Sequence, residues 1–267
     1  MQANPLLIPT IVGAAAAFWA GLALERKIQD KIGRASLWIG AVIVSLPAIL
    51  FVVYYAHVLD NVEWLYNLRT VPYIELTACG LGFIAGMVHG WWQPEGLTEK
   101  SVVPTALLVL IAIPFMKPLL DPLDETQLKE RYDGDVCLQS TFSTCGPASA
   151  VTLLRSLGEN ATEKQFVREC FTSRGGTEVW YIARALRRRG FQTKVVIQTP
   201  GTAEFPSPAI AGVVLRGGAG HFIALLGSDN DSVTLADPLK GKFVLSRSEV
   251  QQRYHFTGFF LILRPRK

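Results

Sequence analysis

Four apolar stretches crowd the first 120 residues, and each is long enough to cross a lipid bilayer as a helix. They run approximately over Pro5–Leu24, Ser36–Leu59, Val71–Trp92 and Val102–Leu120. A helical crossing needs about 20 apolar residues, because hydrocarbon offers no partner to an exposed backbone N–H or C=O. The expected fold of this half is therefore an α-helical transmembrane bundle of four spans. Charge divides the chain at the same place. Residues 1–120 carry seven Lys or Arg and seven Asp or Glu, whereas the remainder carries nineteen and fifteen. That surplus is mild, and no basic stripe interleaved with aromatics points to nucleic acid.

The ends of the stretches behave as membrane interfaces do. Trp19, Trp38, Trp91, Trp92, Tyr54, Tyr55 and Tyr73 fall mostly toward them, and Glu75 and Lys117 lie near ends, where a long side chain reaches water. The first stretch does not read as a signal peptide, since no basic residue precedes it. The loop after it holds Arg26, Lys27, Lys31 and Arg34. The next two hold only Arg69 beside Asp60 and Glu63, and Lys100 beside Glu95 and Glu99. Positive loops stay in the cytoplasm, so the N-terminus is expected outside. After four crossings, everything beyond Leu120 is expected outside too. In the third stretch Gly82, Gly86 and Gly90 recur every fourth residue, a spacing that lets helices approach closely. Packing within the four-helix unit and a dimer face are the two uses open to it.

The chemistry lies beyond this half. Cys145 opens an amphipathic run, Cys145-Gly-Pro-Ala-Ser-Ala-Val-Thr-Leu-Leu, six residues after Gln139. A thiol becomes a good nucleophile as a thiolate, which the positive end of a helix dipole favours. His221 stands at the start of a strand-like run, and Asp237 follows sixteen residues later at the end of another. Nucleophile, base and carboxylate are the parts of a thiol protease site. Around them, residues 121–134 read as a polar linker and 135–267 as a folded domain, following a transmembrane domain over 1–120. Helices are expected at Cys145–Leu157, Thr162–Cys170 (with Thr162 and Gln165 as a capping pair) and Thr177–Arg189, stopping at Gly158 and Gly190. Strands follow at Phe191–Gln198, Ala209–Leu215, His221–Leu226, Ser232–Ala236, Lys242–Leu245 and Gly258–Leu263, with a short helix near Arg247–Tyr254. Helices first and strands afterwards make an α+β domain with a mostly antiparallel sheet.

In these residues the domain resembles the C39 family of cysteine peptidases, the bacteriocin-leader-processing type with a papain-like fold. The resemblance runs from about Asp135 to Leu263. It rests on Gln139 and Cys145-Gly-Pro-Ala, Gly176-Thr177, Gly190-Phe191, His221-Phe222, Asp237-Pro238 and Thr257-Gly258-Phe259, in that order. It implies Cys145 as nucleophile, His221 as general base, Asp237 holding His221, and Gln139 in the oxyanion hole. One departure is Thr144, where the family often has an acidic residue. The implied activity is a membrane-anchored cysteine endopeptidase without cofactors, cutting a leader peptide after small residues such as Gly-Gly, in a multi-pass protein of the bacterial cytoplasmic membrane. Well-known members carry this domain fused to an ATP-binding-cassette exporter. No GxxxxGK[ST] occurs here, so any exporter is expected to be a separate partner. Two other activities remain open: a silent module that only holds a peptide, and a thiol amidase acting on cell-wall peptides.

Cys137, Cys145 and Cys170 lie in the domain, and three cysteines without a CxxC argue against zinc. In an oxidising compartment a spare pair tends to bridge. A Cys137–Cys170 disulfide that leaves Cys145 free is one expectation; two buried thiols are the other.

Overall fold

The structure, a computed structural model, describes residues 4–28, 30–201 and 204–265, and for residues 49–55 the backbone alone. The side chains of Tyr54 and Tyr55 therefore lie outside the described residues. The chain divides into two compact units. One comprises the residues up to Leu59 together with Pro72–Leu119; the other comprises Asp60–Val71 together with the chain from Leu120 onward.

The first unit is helical. Its elements are α1 (Leu7–Lys27) and α2 (Lys31–Tyr55). After the short helix α3 (Glu63–Arg69), which belongs to the other unit, come a 3-10 turn at Ile74–Ala78, α4 (Cys79–Trp92) and α5 (Leu97–Leu120). Among the described residues four helical segments are long and apolar enough to cross a membrane: Leu7–Lys27, Lys31–Ala48, Ile74–Trp92 and Leu97–Leu120. The glycine stripe packs inside the unit. A Cβ at Gly82 would collide with the backbone carbonyl of Ala14, one at Gly86 with that of Phe18, and one at Gly21 with that of Phe83. The α1 and α4 backbones thus touch where side chains would otherwise hold them apart. Glu75, expected near water, is instead fully buried in the 3-10 turn.

The second unit takes in the whole stretch 121–134 that reads as a linker. Arg131–Asp133 (β1) pairs antiparallel with Val136–Leu138 (β2), so the residues around 131 are part of a hairpin. Three helices follow, α6 (Cys145–Ser156), α7 (Glu163–Glu169) and α8 (Val179–Arg188). Their boundaries follow local chemistry. Thr162 and Gln165 form the capping box at the start of α7, and Gly158 and Gly190 take positive φ just past the ends of α6 and α8. The rest is β3 (Phe191–Ile197), β4 (Ala209–Val214), β5 (Gly220–Ser228), β6 (Ser232–Asp237), β7 (Gly241–Ser246), α9 (Arg247–Arg253) and β8 (His255–Pro265). The six long strands form one antiparallel sheet in the order β3-β8-β4-β5-β6-β7. The last strand inserts between the first two, so the family-like Thr257-Gly258-Phe259 lies inside the sheet. Helices α6 and α8 pack on the sheet, and a separate apolar cluster joins Val250 of α9 to Val213, Ile223, Leu235 and Phe260. The architecture is the expected α+β one.

Candidate active site

Two local facts set the position of Cys145. It is the first residue of α6, where backbone N–H groups lack an intrahelical acceptor and the dipole is positive. One turn along, the Ser149 hydroxyl donates to the Phe222 carbonyl at 3.1 Å. Ser149 is four residues from Cys145, hence on the same helix face. This bond ties α6 to β5 one residue beyond His221, and so sets the distance between sulfur and imidazole.

Sheet pairing brings in the carboxylate. Strands β5 and β6 are antiparallel neighbours with Ala224 opposite Ala236, so the start of one meets the end of the other. His221 Nε2 lies 2.9 Å from Asp237 Oδ1. The ring and the Cys145 side chain open onto the same cavity. Both His221 and Asp237 are buried. Asp237 is held from every side: the Leu239 N–H donates to Oδ1 at 2.9 Å, the Tyr254 hydroxyl donates to Oδ2 at 3.1 Å, and Lys240 Nζ stands 3.5 Å from Oδ2.

These contacts decide the charges. Burial by itself lowers the pKa of His221, but interaction with Asp237 and with Cys145 outweighs it and raises the ring from 6.5 to about 9. Burial favours the neutral acid at Asp237, yet hydrogen bonds from His221 and the Leu239 amide outweigh it and lower the carboxyl below its usual range.

Gln139 sits in a different setting. Its amide N–H₂ donates to the Thr141 carbonyl at 2.8 Å, and its backbone N–H donates to Pro238 O at 3.0 Å. It is buried, and it does not line the cavity onto which Cys145 and His221 open. The turn from 139 to 144 is built around it. Thr144 Oγ1 accepts from the Thr141 N–H at 3.1 Å, and the buried Glu163 carboxylate accepts from the Ser140 N–H at 2.8 Å and from the Ser140 hydroxyl. The threonine that stands where the family often has an acid thus closes this turn.

The cavity measures about 490 Å³. Phe142, Phe222 and Phe259 line it together with Gly146, Gly176 and Gly212. Such a slot admits an extended backbone more readily than a bulky side chain. Among the described residues no group of three or more His, Cys, Asp or Glu converges to hold a metal.

The expected Cys137–Cys170 bridge is absent: both cysteines are free. Each belongs to an element packed separately on α6, Cys137 in β2 and Cys170 at the end of α7. Burial keeps both as thiols, raising Cys137 to about 12 and Cys170 further. Three supporting residues escaped the sequence reasoning. Ser149 had a signal, its i+4 relation to Cys145; Tyr254 and Glu163 had none, because their partners are set by the fold.

Residues 134–267 match the model of the Peptidase C39 family. An uncharacterized protein of Methanothermobacter thermautotrophicus is 31% identical over 139 residues, which cover 50% of this chain and 91% of that protein. The Lactococcin-G-processing and transport ATP-binding protein LagD of Lactococcus lactis subsp. lactis is 25% identical over 134 residues, covering 49% of this chain but only 19% of LagD. Two solved structures are similar. The peptidase domain of Streptococcus ComA, a bi-functional ABC transporter of a quorum-sensing pathway, has 24% identity and a TM-score of 0.42, covering 48% of this chain and 96% of that one. A double glycine motif protease from an AMS/PCAT transporter, in complex with the leader peptide, has 25% identity and a TM-score of 0.42, covering 52% and 96%.

Proposed function

The chain belongs to the peptidase C39 family, and from that premise we propose that it is a membrane-embedded cysteine endopeptidase whose working parts are Cys145, His221, Asp237 and Gln139. The observation that carries this is the buried His221–Asp237 hydrogen bond, with His221 and Cys145 lining one cleft. The Cys145 thiolate attacks the scissile carbonyl. His221 then gives its proton to the leaving amine, and later takes one from the water that frees the acyl-enzyme. Asp237 keeps the ring oriented and stabilises its charge. The negative oxygen of the tetrahedral intermediate meets the first-turn amides of α6, and the second N–H of the Gln139 amide turns toward it when substrate is bound. One aimed donor of this kind is worth about 3 kcal/mol.

The substrate is a peptide with small residues, such as Gly-Gly, beside the cut. The glycines among the residues lining the cleft support this, and LagD is named for processing as well as transport. Transport is not carried over, since the match covers 19% of LagD; a separate exporter would move the product. The four apolar helices are membrane spans. Residues 60–71, between the second and third spans, share a compact unit with the chain after the fourth. That supports an even number of crossings between them, with both on one side. The basic loop of Arg26, Lys27, Lys31 and Arg34 assigns that side to the exterior of a bacterial cytoplasmic membrane.

The test uses the full chain in its membrane. A thiol-directed peptidase inhibitor should label Cys145 and lose its target in Cys145→Ala, and peptides accumulating in cells that carry Cys145→Ala should share a cleavage site. Undiminished processing by Cys145→Ala would end the enzyme proposal.

A further inference from the structure

The segment that joins the second and third apolar helices packs behind one of the rings that line the cleft. Asp60–Val71, read from sequence as a short loop, forms α3 and lies on β3, the edge strand of the sheet. Edge strands expose unpaired N–H and C=O groups, and α3 answers them with side chains. Asn67 Nδ2 donates to Val195 O at 2.7 Å, and the Val195 N–H donates to Asn67 Oδ1 at 2.9 Å. The Ile197 N–H donates to Glu63 at 3.2 Å. At the other end of α3, Arg184 donates to Arg69 O at 2.6 Å and Arg187 to Thr70 O at 2.9 Å, which satisfies carbonyls the short helix leaves open.

Beneath this clamp sits Tyr66. Its ring is buried, 6.1 Å from Trp180 and edge-on to Phe259 at 5.0 Å between centroids. Phe259 stands 6.3 Å from Phe222, the neighbour of His221, and both rings wall the cleft. The backbone before Phe259 has little freedom. Gly258 has φ +83, and a Cβ there would collide with the Gln198 carbonyl. A ring supported from behind by Tyr66 therefore has its position set by α3. The family match begins at residue 134, so this support lies outside the matched region.

We propose that α3 is the fixed back of the substrate cleft, and that Tyr66 is a positioning residue acting through Phe259 on where an extended peptide lies against Cys145. This rests on the peptidase function proposed above. Displacing a wall by a fraction of an ångström weakens binding and alignment while leaving the reacting groups intact.

The test is binding of a fluorescein-labelled peptide with a central Gly-Gly pair to the full chain in detergent, on a Cys145→Ala background. Tyr66→Ala should weaken binding roughly tenfold, whereas Tyr66→Phe, which keeps the ring edge, should stay within about twofold. In the Cys145-containing protein, Tyr66→Ala should raise KM more than it lowers kcat, with the rate of Cys145 alkylation by iodoacetamide unchanged. A folded Tyr66→Ala that binds and cleaves like the parent overturns the proposal. If Tyr66→Ala does not fold, Tyr66→Leu, which keeps apolar volume without the ring, is judged by the same outcomes. If the unaltered chain neither binds nor cuts any peptide, the peptidase function fails on its own. Hydrogen exchange at residues 256–260 then decides: acceleration in Tyr66→Ala or Tyr66→Leu upholds the positioning role, and unchanged rates refute it.

Discussion

Glycine does opposite work in the two units. Along α1 and α4, Gly21, Gly82 and Gly86 are points where backbones meet, and an added methyl would strike a carbonyl oxygen that cannot move without moving its helix. Around the cleft, Gly176 borders open space, while Gly146 and Gly212 each have a side chain close by. A Cβ at Gly146 would come nearest to Ile182 Cδ1 at 2.8 Å and one at Gly212 to Thr257 Oγ1 at 2.7 Å, in each case a side chain rather than a backbone carbonyl. The seam glycines bring backbone against backbone, whereas Gly146 and Gly212 at the cleft face side chains. Changes in the seam should therefore unfold, while changes in the cleft should alter chemistry or fit.

The sharpest separation comes from the reacting groups. His221→Ala should cut kcat by at least ~10⁴-fold in the folded full chain, because proton transfer to and from sulfur and leaving group is lost. Asp237→Asn should cost less, since the ring remains and only its orientation and charge support are weakened. Substrate turnover and the melting curve, taken on the same samples, check both.

Next in size is the seam. Gly86→Val should destabilise the helical unit by about 3 kcal/mol or more, read as a lower yield of monodisperse protein and an earlier melt. Labelling of Cys145 per folded molecule should not change. A Gly86→Val chain as stable as the parent would erase the distinction between the two regions.

Gly212→Ala should cost less stability than Gly86→Val, because its methyl meets a side chain and not a backbone carbonyl. The new methyl presses on Thr257, whose hydroxyl donates to the Gly212 carbonyl at 3.1 Å, and intrudes on the slot. A rise of about tenfold in KM is expected, the usual worth of one methyl in a fitted pocket.

The smallest effect is on stability against pH. A group whose pKa rises on folding stabilises most when protonated. The contribution of His221 is therefore complete below 6.5 and drains away as pH climbs through about 9. Asp237 runs the other way: its contribution is present above 3.8 and lost as pH falls through its lower folded value. The melting temperature of the parent should exceed that of His221→Ala most near pH 6, with the gap closing above pH 9. A gap that widens toward alkaline pH would contradict the charge state assigned to the ring.

Much of this was legible in advance because it depends on near neighbours in the chain. Thr162 finds Gln165 three residues away, Gly158 and Gly190 end their helices through their own φ, and the strand runs announce themselves by composition. Cys145 at a helix start, His221 at a strand start and Asp237 at a strand end were visible for the same reason. Gln139 was visible only as a residue type at a spacing. The direction of its amide depends on Thr141, Thr144 and Glu163, which the fold gathers from two elements.

The chain's own residues determined its element types, the four apolar helices and the identity of the sulfur, imidazole and carboxylate, because hydropathy, caps and chemical groups are properties of short stretches. Only tertiary structure decided that Cys137 and Cys170 stay apart, that the glycine stripe meets α1, and that a seven-residue helix from between two apolar segments backs the cleft. Those outcomes depend on which surfaces meet. Asn67 reaches Val195 across 128 positions of chain, a separation over which no local pattern carries information.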